Sequence, residues 1–226
     1  MIRTLAVVSL FAAVACGGSG NSVSFSARSG GAIATSRPRS GDLTLSSGLV
    51  LSRVRVVIND IKLETATGNP NDDSDDQEVH LAPVLVDLNA AALDGGKVQT
   101  VTNANVKAGT YKEIKLKIHK PNSTESSDPA IQQMASQNAS IIVDGTIDTV
   151  AFSFVSSIEA KEEFEGSIVL KDGSNLTLNI DPSSWFGASA AARIDPRVAD
   201  NRSQIESNMK TSFKAFKDDK RDGKGD

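Results

Sequence analysis

The most restrictive feature of the sequence is the alternation of apolar and polar residues in short runs. The pattern is clearest over residues 111–119, where Ile114, Leu116 and Ile118 alternate with charged or polar side chains. Successive side chains of a β-strand point to opposite faces of its sheet, so this run predicts a strand with one buried face and one solvent-facing face. The chain is therefore expected to fold mainly into β-sheets.

Similar runs predict about eight to ten short strands, which argues for an antiparallel sandwich or barrel. The first run is interrupted at Asn59-Asp60, where we expect a bulge or a change of register. Short sequences that end in glycine should supply the tight turns between strands. The turns are expected at Asp94-Gly95-Gly96, Ala108-Gly109, Asp144-Gly145 and Asp172-Gly173. The strands are expected at 50–63, 79–81, 84–88, 98–101, 111–119, 140–143, 150–155, 157–163, 167–171 and 176–180.

Two helices are expected among the strands. Asp128-Pro129 should start a short inserted helix that runs to Asn138, because Asp is a favoured N-cap and Pro fits the first turn. Asp195-Pro196 should open a C-terminal amphipathic helix. Its apolar stripe is expected to pack on the parent domain, with a partner-binding face as the alternative. The stripe consists of Ile205, Met209, Phe213 and Phe216.

The N-terminus has the layout of a secretory signal. Arg3 precedes an apolar run from Leu5 to Ala15 that is too short to remain as a membrane anchor. The sequence Ala13-Val14-Ala15-Cys16 resembles the lipobox of bacterial lipoproteins, in which the thiol is diacylated and the signal is cut before it. The resemblance implies that Cys16 carries acyl chains such as palmitate. An ordinary cleaved signal is the alternative.

Two or three acyl chains hold a protein durably at a membrane. We therefore predict a lipid-anchored protein of the bacterial cell envelope, with the membrane as a partner through its N-terminal lipid. Gly17 stands where Asp retains such proteins at the inner membrane of enteric bacteria, which favours the outer membrane. The predicted organisation is a signal peptide (1–15), the lipidated cysteine and a flexible tether (16–41), a sandwich domain (42–186), a helical segment (187–217) and a charged, solvated tail (218–226). A short edge strand at Val23 and Phe25 is expected within the tether.

Three stretches carry a family resemblance: Val54–Ile61, Leu85–Asn89 and, above all, Ala108–Leu116. In the last, a glycine turn leads into a strand whose tyrosine is expected to pack inward or at the sheet corner. Together, the tract from Ser40 to Ile180 resembles a bacterial secreted-domain family of unknown function that is found in many lipoproteins. The resemblance implies a prealbumin-like or immunoglobulin-like sandwich, and it brings no catalytic residues.

Few residues of the sequence point to catalysis. Cys16 is the single cysteine, which excludes an intramolecular disulfide and a Cys-based zinc cluster. The two histidines, His80 and His119, occur at positions of predicted strands that should face solvent. Motifs of zinc proteases, serine hydrolases and phosphate-binding loops are absent. We therefore predict a protein that is not an enzyme, with a hydrolase built on either histidine as the weaker alternative.

An acidic segment between two predicted strands is a candidate calcium site. Calcium takes six to eight oxygen ligands, and this segment is rich in carboxylates, although acidic runs between strands are usually solvated loops. The tail also has a partial calcium-loop pattern, but Lys220 stands where a ligand should be, so a solvated tail is expected. No other cofactor is predicted. The carboxylates of the first segment are Asp72, Asp73, Asp75, Asp76 and Glu78.

The net charge of −4 argues against a nucleic-acid partner. A protein or a glycan is the expected ligand, and Tyr111, Trp185 and Phe186 are the few aromatic residues that could support a sugar. Trp185-Phe186 is expected instead to fill the space between the sandwich and the C-terminal helix. The predicted function is a non-enzymatic binding or adhesion module of unknown ligand, with a structural or assembly component of an envelope complex as the alternative.

Overall fold

A computed structural model describes residues 21–30, 42–66, 77–79, 82–95 and 97–226, and the chain is mainly β in these ranges. The helices are α1 (Ala90–Gly95), α2 (Pro129–Ser136) and α3 (Arg202–Lys210). The strands are β1 (Asn21–Ser29), β2 (Leu43–Thr44), β3 (Val50–Thr65), β4 (Gln77–Val79), β5 (Val84–Asn89), β6 (Gln99–Val106), β7 (Gly109–Ile118), β8 (Ile141–Ile147), β9 (Val150–Ser156), β10 (Ala160–Leu170), β11 (Asn175–Ile180) and β12 (Phe213–Lys217).

The larger of two sheets is built around β3. The first half of β3 lies between β5 and β8, with β9 beyond β8, and β2 pairs with its start. The second half lies between β4 and β7, with β10 beyond β7. The smaller sheet has the order β12-β11-β1-β6. Among the described strands, all pairs are antiparallel except β1 with β11, and the predicted antiparallel sandwich is confirmed.

The bulge predicted at Asn59-Asp60 is confirmed, and it separates the two halves of β3. Asp60 has a positive φ of 49°, and the register between β3 and β7 shifts between Asn59 and Ile61. An extra residue bends a strand and increases its local twist. The bulge therefore allows one strand to serve two sets of neighbours.

A buried tyrosine fixes the corner where the chain crosses from the smaller sheet to β7. Tyr111 is almost completely buried, and its hydroxyl donates a 2.6 Å hydrogen bond to the carbonyl oxygen of Lys107. Burial raises the pKa of Tyr111. The expected inward packing of this tyrosine after the glycine turn is thus confirmed, and the bond holds the turn between β6 and β7 against the core.

The turn predicted at Asp144-Gly145 is wrong. Gly145 lies inside β8, and the hairpin turns four residues later, at Asp148 and Thr149, which have positive φ values of 51° and 68°. A Cβ on Gly145 would come within 2.3 Å of the Val50 carbonyl oxygen. Glycine is required here because a neighbouring backbone approaches closely. The runs 157–163 and 167–171 also form one strand, β10, with an irregularity between Glu165 and Ile168.

The N-terminal tether prediction is corrected over Asn21–Ser29. These residues form β1, a nine-residue strand at the centre of the smaller sheet between β11 and β6, not an edge strand. Ser24 and Ser26 are buried, and Nη2 of Arg221 donates a 2.9 Å hydrogen bond to the Ser24 hydroxyl. The rest of the predicted tether up to Gly41, together with Cys16, lies outside the described residues apart from Gly30.

The inserted helix is confirmed as α2, whose N-cap Asp128 accepts a hydrogen bond from the amide of Ala130 at 2.8 Å. The C-terminal helix is shorter than predicted. It spans Arg202–Lys210, well after Asp195-Pro196, and Phe213–Lys217 forms β12 instead. Pairing with β11 gives these residues a strand partner and satisfies the backbone groups along that edge of β11, which a helical extension could not do.

The packing expected for the C-terminal region is confirmed. Ile205 and Met209 of α3 are fully buried in the main core. Trp185 and Phe186 are also fully buried, and the indole Nε1 of Trp185 donates a 2.6 Å hydrogen bond to the Ser212 hydroxyl. These two aromatic residues therefore join the sheets to α3 as the sequence suggested.

The solvated tail predicted for residues 218–226 is corrected in part: most of its side chains are exposed, but the segment folds over the outer face of the smaller sheet. Asp218 is fully buried. Its carboxylate accepts hydrogen bonds from the amides of Asp222 and Gly223, both at 3.0 Å, and from the Thr177 hydroxyl at 3.1 Å. Asn175 donates to the Asp218 carbonyl oxygen at 3.0 Å. The first carboxylate of the partial calcium-loop pattern thus binds amides of its own segment and a hydroxyl of β11.

Replacing Asp218 with alanine should destabilise the fold, because two buried donors and one partly buried donor lose their acceptor. We expect the free energy of unfolding to fall by about 2–4 kcal/mol. Urea unfolding followed by the fluorescence of Trp185, the single tryptophan, measures the change. Asp222→Ala, at an exposed position of the same segment, should cost less than about 1 kcal/mol. Equal losses for both variants would contradict the assigned role of Asp218.

Candidate functional site

Four charged side chains form a row on the outer face of the larger sheet, in the half that contains β5, β8 and β9. Arg53 and Arg55 alternate with core residues of β3 and therefore point away from the other sheet. Asp87 of β5 lies opposite Arg55, and Asp144 of β8 lies opposite Arg53. We call Arg53, Arg55, Asp87 and Asp144 the ion row.

The accessible end of the ion row is a bidentate pair. Nε and Nη2 of Arg53 donate to the two carboxylate oxygens of Asp87 at 2.8 and 2.5 Å. The side chains are 43% and 36% exposed, respectively. The hydrogen bond with Asp87 raises the pKa of Arg53, which opposes the smaller effect of burial. Both side chains are thus paired with each other and still partly open to solvent.

The other end of the ion row is buried. The side chain of Arg55 is 8% exposed, and its Nη2 donates to Asp144 Oδ2 at 2.7 Å. Gln133 of α2 lies within 3.5 Å of Nη1, and the Nε of Arg55 has no hydrogen-bond partner among the described residues. Ser153 of β9 donates to the second oxygen of Asp144 at 2.7 Å. Neighbours on three elements therefore fix this end in place.

Helix α2 forms one wall beside the ion row. Its Met134 is fully buried and packs with Val57 and Ile142 in a separate small core on the outer face of the sheet. This contact places Gln133 next to Arg55. The arrangement presents one accessible cation and one accessible anion beside a helix whose exposed side chains, such as Gln133, are polar, which suits recognition of a polar or charged partner surface.

Sequence reasoning did not single out the ion row. A signal was present, because Arg53 and Arg55 occupy the polar positions of an otherwise apolar strand. The pairing with Asp87 and Asp144 could not be seen, since the register between β3, β5 and β8 sets it.

His119 is placed differently from the prediction. It follows β7, but its side chain is only 12% exposed, so the expected solvent-facing position is wrong. Its Nε2 lies 2.7 Å from Glu125 Oε2, and its Nδ1 lies 3.8 Å from Glu159 Oε1 without a hydrogen bond. Within the described part of the chain, each ring nitrogen of His119 therefore faces a carboxylate. His80 lies outside the described residues.

The predicted calcium ligands lie almost entirely outside the described residues. Asp72, Asp73, Asp75 and Asp76 are not described, and only the backbone of Glu78 is placed, opposite Lys62 in the pairing of β4 with β3. Within the ranges that the structure covers, no group of three or more His, Cys, Asp or Glu side chains is arranged to hold a metal.

The aromatic residues considered for sugar binding are part of the core. Tyr111, Trp185 and Phe186 are all buried, and Phe186 packs edge-on against Phe152 and Phe154. These three rings cannot offer a stacking face to a sugar at the surface. The core position expected for Trp185 and Phe186, rather than the sugar-binding alternative, is therefore the one observed.

A small apolar cavity lies between the two sheets. Its volume of about 20 Å³ is enough for roughly one water molecule. Pockets for organic ligands typically measure about 300–1,000 Å³, so this cavity is too small for such a ligand. It is lined by Phe25, Ser26, Ile58, Ile61, Val101, Ile114, Leu116, Leu176, Thr177, Leu178 and Ala215.

A second cluster of charges lies on the other half of the larger sheet, where β3 pairs with β7. Glu64 forms a 2.5 Å ion pair with Lys112 and a 3.4 Å ion pair with Lys115. The hydrogen bond from Lys112 is the main cause that lowers the pKa of Glu64 to about 2. A 2.9 Å pair with Glu113 is the main cause that raises the pKa of Lys115. The cations and anions here neutralise one another, so this cluster serves the sheet itself.

The fold defines this chain as a two-sheet antiparallel β-sandwich, and the sequence places it in a family. It belongs to the family described as Domain of unknown function (DUF4382), whose model matches residues 50–190. The family match spans β3 to β11, whereas β1 and β12 lie outside it although both belong to the smaller sheet. The resemblance to a domain of unknown function seen in the sequence is thus confirmed.

Among solved structures, MbnP from Methylosinus trichosporium is similar to this chain, with 11% sequence identity and a TM-score of 0.43. The similarity covers 80% of this chain and 81% of that chain. No curated protein matches the sequence. Within the described ranges, no helix has both the length and the apolar composition needed to cross a membrane.

The lowered pKa of Glu64 predicts an acid-sensitive contribution to stability. A carboxyl group whose pKa falls on folding stabilises the protein above its unfolded value of 4.5, and this contribution is lost as the pH falls towards 2. Glu64→Gln should therefore lower the melting temperature at pH 7, and the difference from the wild type should vanish near pH 2. Glu165→Gln, at an exposed position of β10, is the matched control and should leave the profile unchanged. A constant difference for Glu64→Gln at all pH values would contradict the assignment.

Proposed function

We propose that this protein is a lipid-anchored component of the bacterial cell envelope that binds another protein through the ion row and is not an enzyme. The observation that carries the anchor is the sequence from Leu5 to Cys16, a short apolar run that ends in a lipobox-like cysteine. The first described strand starts at Asn21, directly after this segment. Gly17 after the cysteine supports the outer membrane over the inner one.

The geometry of the ion row supports the binding role. Arg53 and Asp87 are paired with each other but remain partly exposed. A partner can therefore place a carboxylate beside Arg53 or a cation beside Asp87 without a prior conformational change that exposes them. Arginine is enriched at protein interfaces because its planar group makes several directed hydrogen bonds. The burial of Tyr111, Trp185 and Phe186 supports a protein ligand over a glycan.

In this proposal, acylation of Cys16 determines that the protein is located at a membrane. Cys16→Ser should move the protein from the membrane fraction of the cell to the soluble fraction, because it removes the acylated sulfur. Ser19→Ala is the matched control and should stay in the membrane fraction. Mass spectrometry of the wild-type N-terminus should find a chain that starts at Cys16 and carries acyl groups. Unchanged fractionation of Cys16→Ser would contradict the anchor.

The binding role predicts contacts at the ion row in intact cells. A photoactivatable phenylalanine at Ser153, which is exposed beside Asp144, should give covalent adducts with a second protein. The same group at Val169, which is 54% exposed on β10 in the other half of the sheet, should give none. Arg53→Glu should weaken the adducts at Ser153 by placing a negative charge beside Asp87. Equal adducts at both positions, or none at Ser153, would contradict binding at this face.

A further inference from the structure

The chain enters the sandwich at one defined end. Asn21 lies opposite Val106, the last residue of β6. The amide of Ser22 donates to the Asp172 carboxylate at 3.0 Å, and the Ser22 carbonyl oxygen accepts from the amide of Gly173 at 2.9 Å. The start of β1 is thus held between two turns. We call Asn21 and the turns at 107–108 and 171–174 the entry end.

The second half of β3 reaches the same end of the molecule. Thr65, its last residue, lies opposite Tyr111, two residues after β7 leaves the turn at 107–108. The ion row lies in the first half of β3, beyond the bulge at Asp60. Since strands rise by roughly 3.3 Å per residue, Arg55 lies about 33 Å along β3 from Thr65. The entry end and the ion row therefore occupy opposite halves of a long sheet.

Covalent geometry limits how far the entry end can stand from Cys16. Four residues separate Cys16 from Asn21. The five Cα–Cα steps from Cys16 to Asn21 span at most about 18 Å, the length of a fully extended chain. The sixteen residues of β3 correspond to roughly 50 Å of strand. A lipid on Cys16 could therefore hold the entry end close to a bilayer but could not reach the far half of β3.

The charges of the entry end suit a bilayer surface. Lys107 and Lys171, one in each turn, are both exposed, and they outnumber the exposed Asp172, whose carboxylate accepts the hydrogen bond from the Ser22 amide. Lysine side chains near a membrane are attracted to the phosphates of anionic lipid head groups. We propose that the entry end is a bilayer-facing surface for phospholipid head groups, with Lys107 and Lys171 towards them and the ion row held away from the membrane. This orientation rests on the lipidation of Cys16 proposed above.

The orientation can be tested with the full lipidated protein in vesicles of phosphatidylcholine and phosphatidylglycerol that carry a nitroxide on some head groups. A fluorophore is attached through Lys171→Cys at the entry end or through Val150→Cys, which is 53% exposed at the far hairpin. We expect quenching at position 171 to be about threefold stronger than at position 150, because the strand length separates them. Lys107→Cys is a second entry-end site, and the fluorescence of Trp185 confirms that each variant is folded.

Equal quenching at the two ends, or stronger quenching at position 150, would overturn the orientation even if the protein floats with the vesicles. Failure to float with vesicles, together with an unacylated Cys16 in the mass spectrum, would overturn the anchor and the orientation together. A second experiment, with the fluorophore attached at position 107, tests whether Lys171 contributes to the orientation. Lys171→Glu should reduce the quenching, whereas Lys161→Glu, exposed at the start of β10, should not.

Discussion

Backbone pairing along β3 is the constraint on which the rest of the structure depends. The strand has sixteen residues, and both of its edges are paired over most of that length. Five shorter strands therefore align on its register. A shift of one residue would turn every core side chain of β3 to the outer face. Because Val54, Val56 and Leu63 are fully buried, the register is strongly fixed. The bulge at Asp60 then lets the two halves meet different partners.

The smaller sheet depends on both ends of the chain. β1 enters between β11 and β6, and β12 extends the sheet from the other side. The outer face of this sheet is polar, and the segment 218–226 covers it with hydrogen bonds to Asn175 and Thr177. Buried polar groups are tolerated only when their hydrogen bonds are satisfied, and Asp218 satisfies three donors at once. The region outside the family match thus completes the sandwich.

The two halves of the larger sheet differ in what their outer faces offer. Around Glu64 the charges are internally paired, and the lowered pKa of that carboxyl reflects how well its lysines neutralise it. Around Arg53 one bidentate pair remains partly exposed beside α2, next to a buried arginine whose Nε has no partner among the described residues. Residues that are held rigidly yet remain accessible are suited to recognition. The fold therefore separates a face whose charges are paired among themselves from a face whose ion pair stays accessible.

The sequence by itself determined the β class, most strands, α2 and the bulge at Asp60, because alternation, capping and turn residues act over a few neighbours. It also predicts a signal-like N-terminus, which lies outside the described residues. The tertiary structure alone decided that β1 is central, that Phe213 starts a strand, that Asp218 is buried and that Arg53 meets Asp87. Local patterns could not show these features, because each depends on strands distant in sequence that supply hydrogen-bond partners or cover polar side chains.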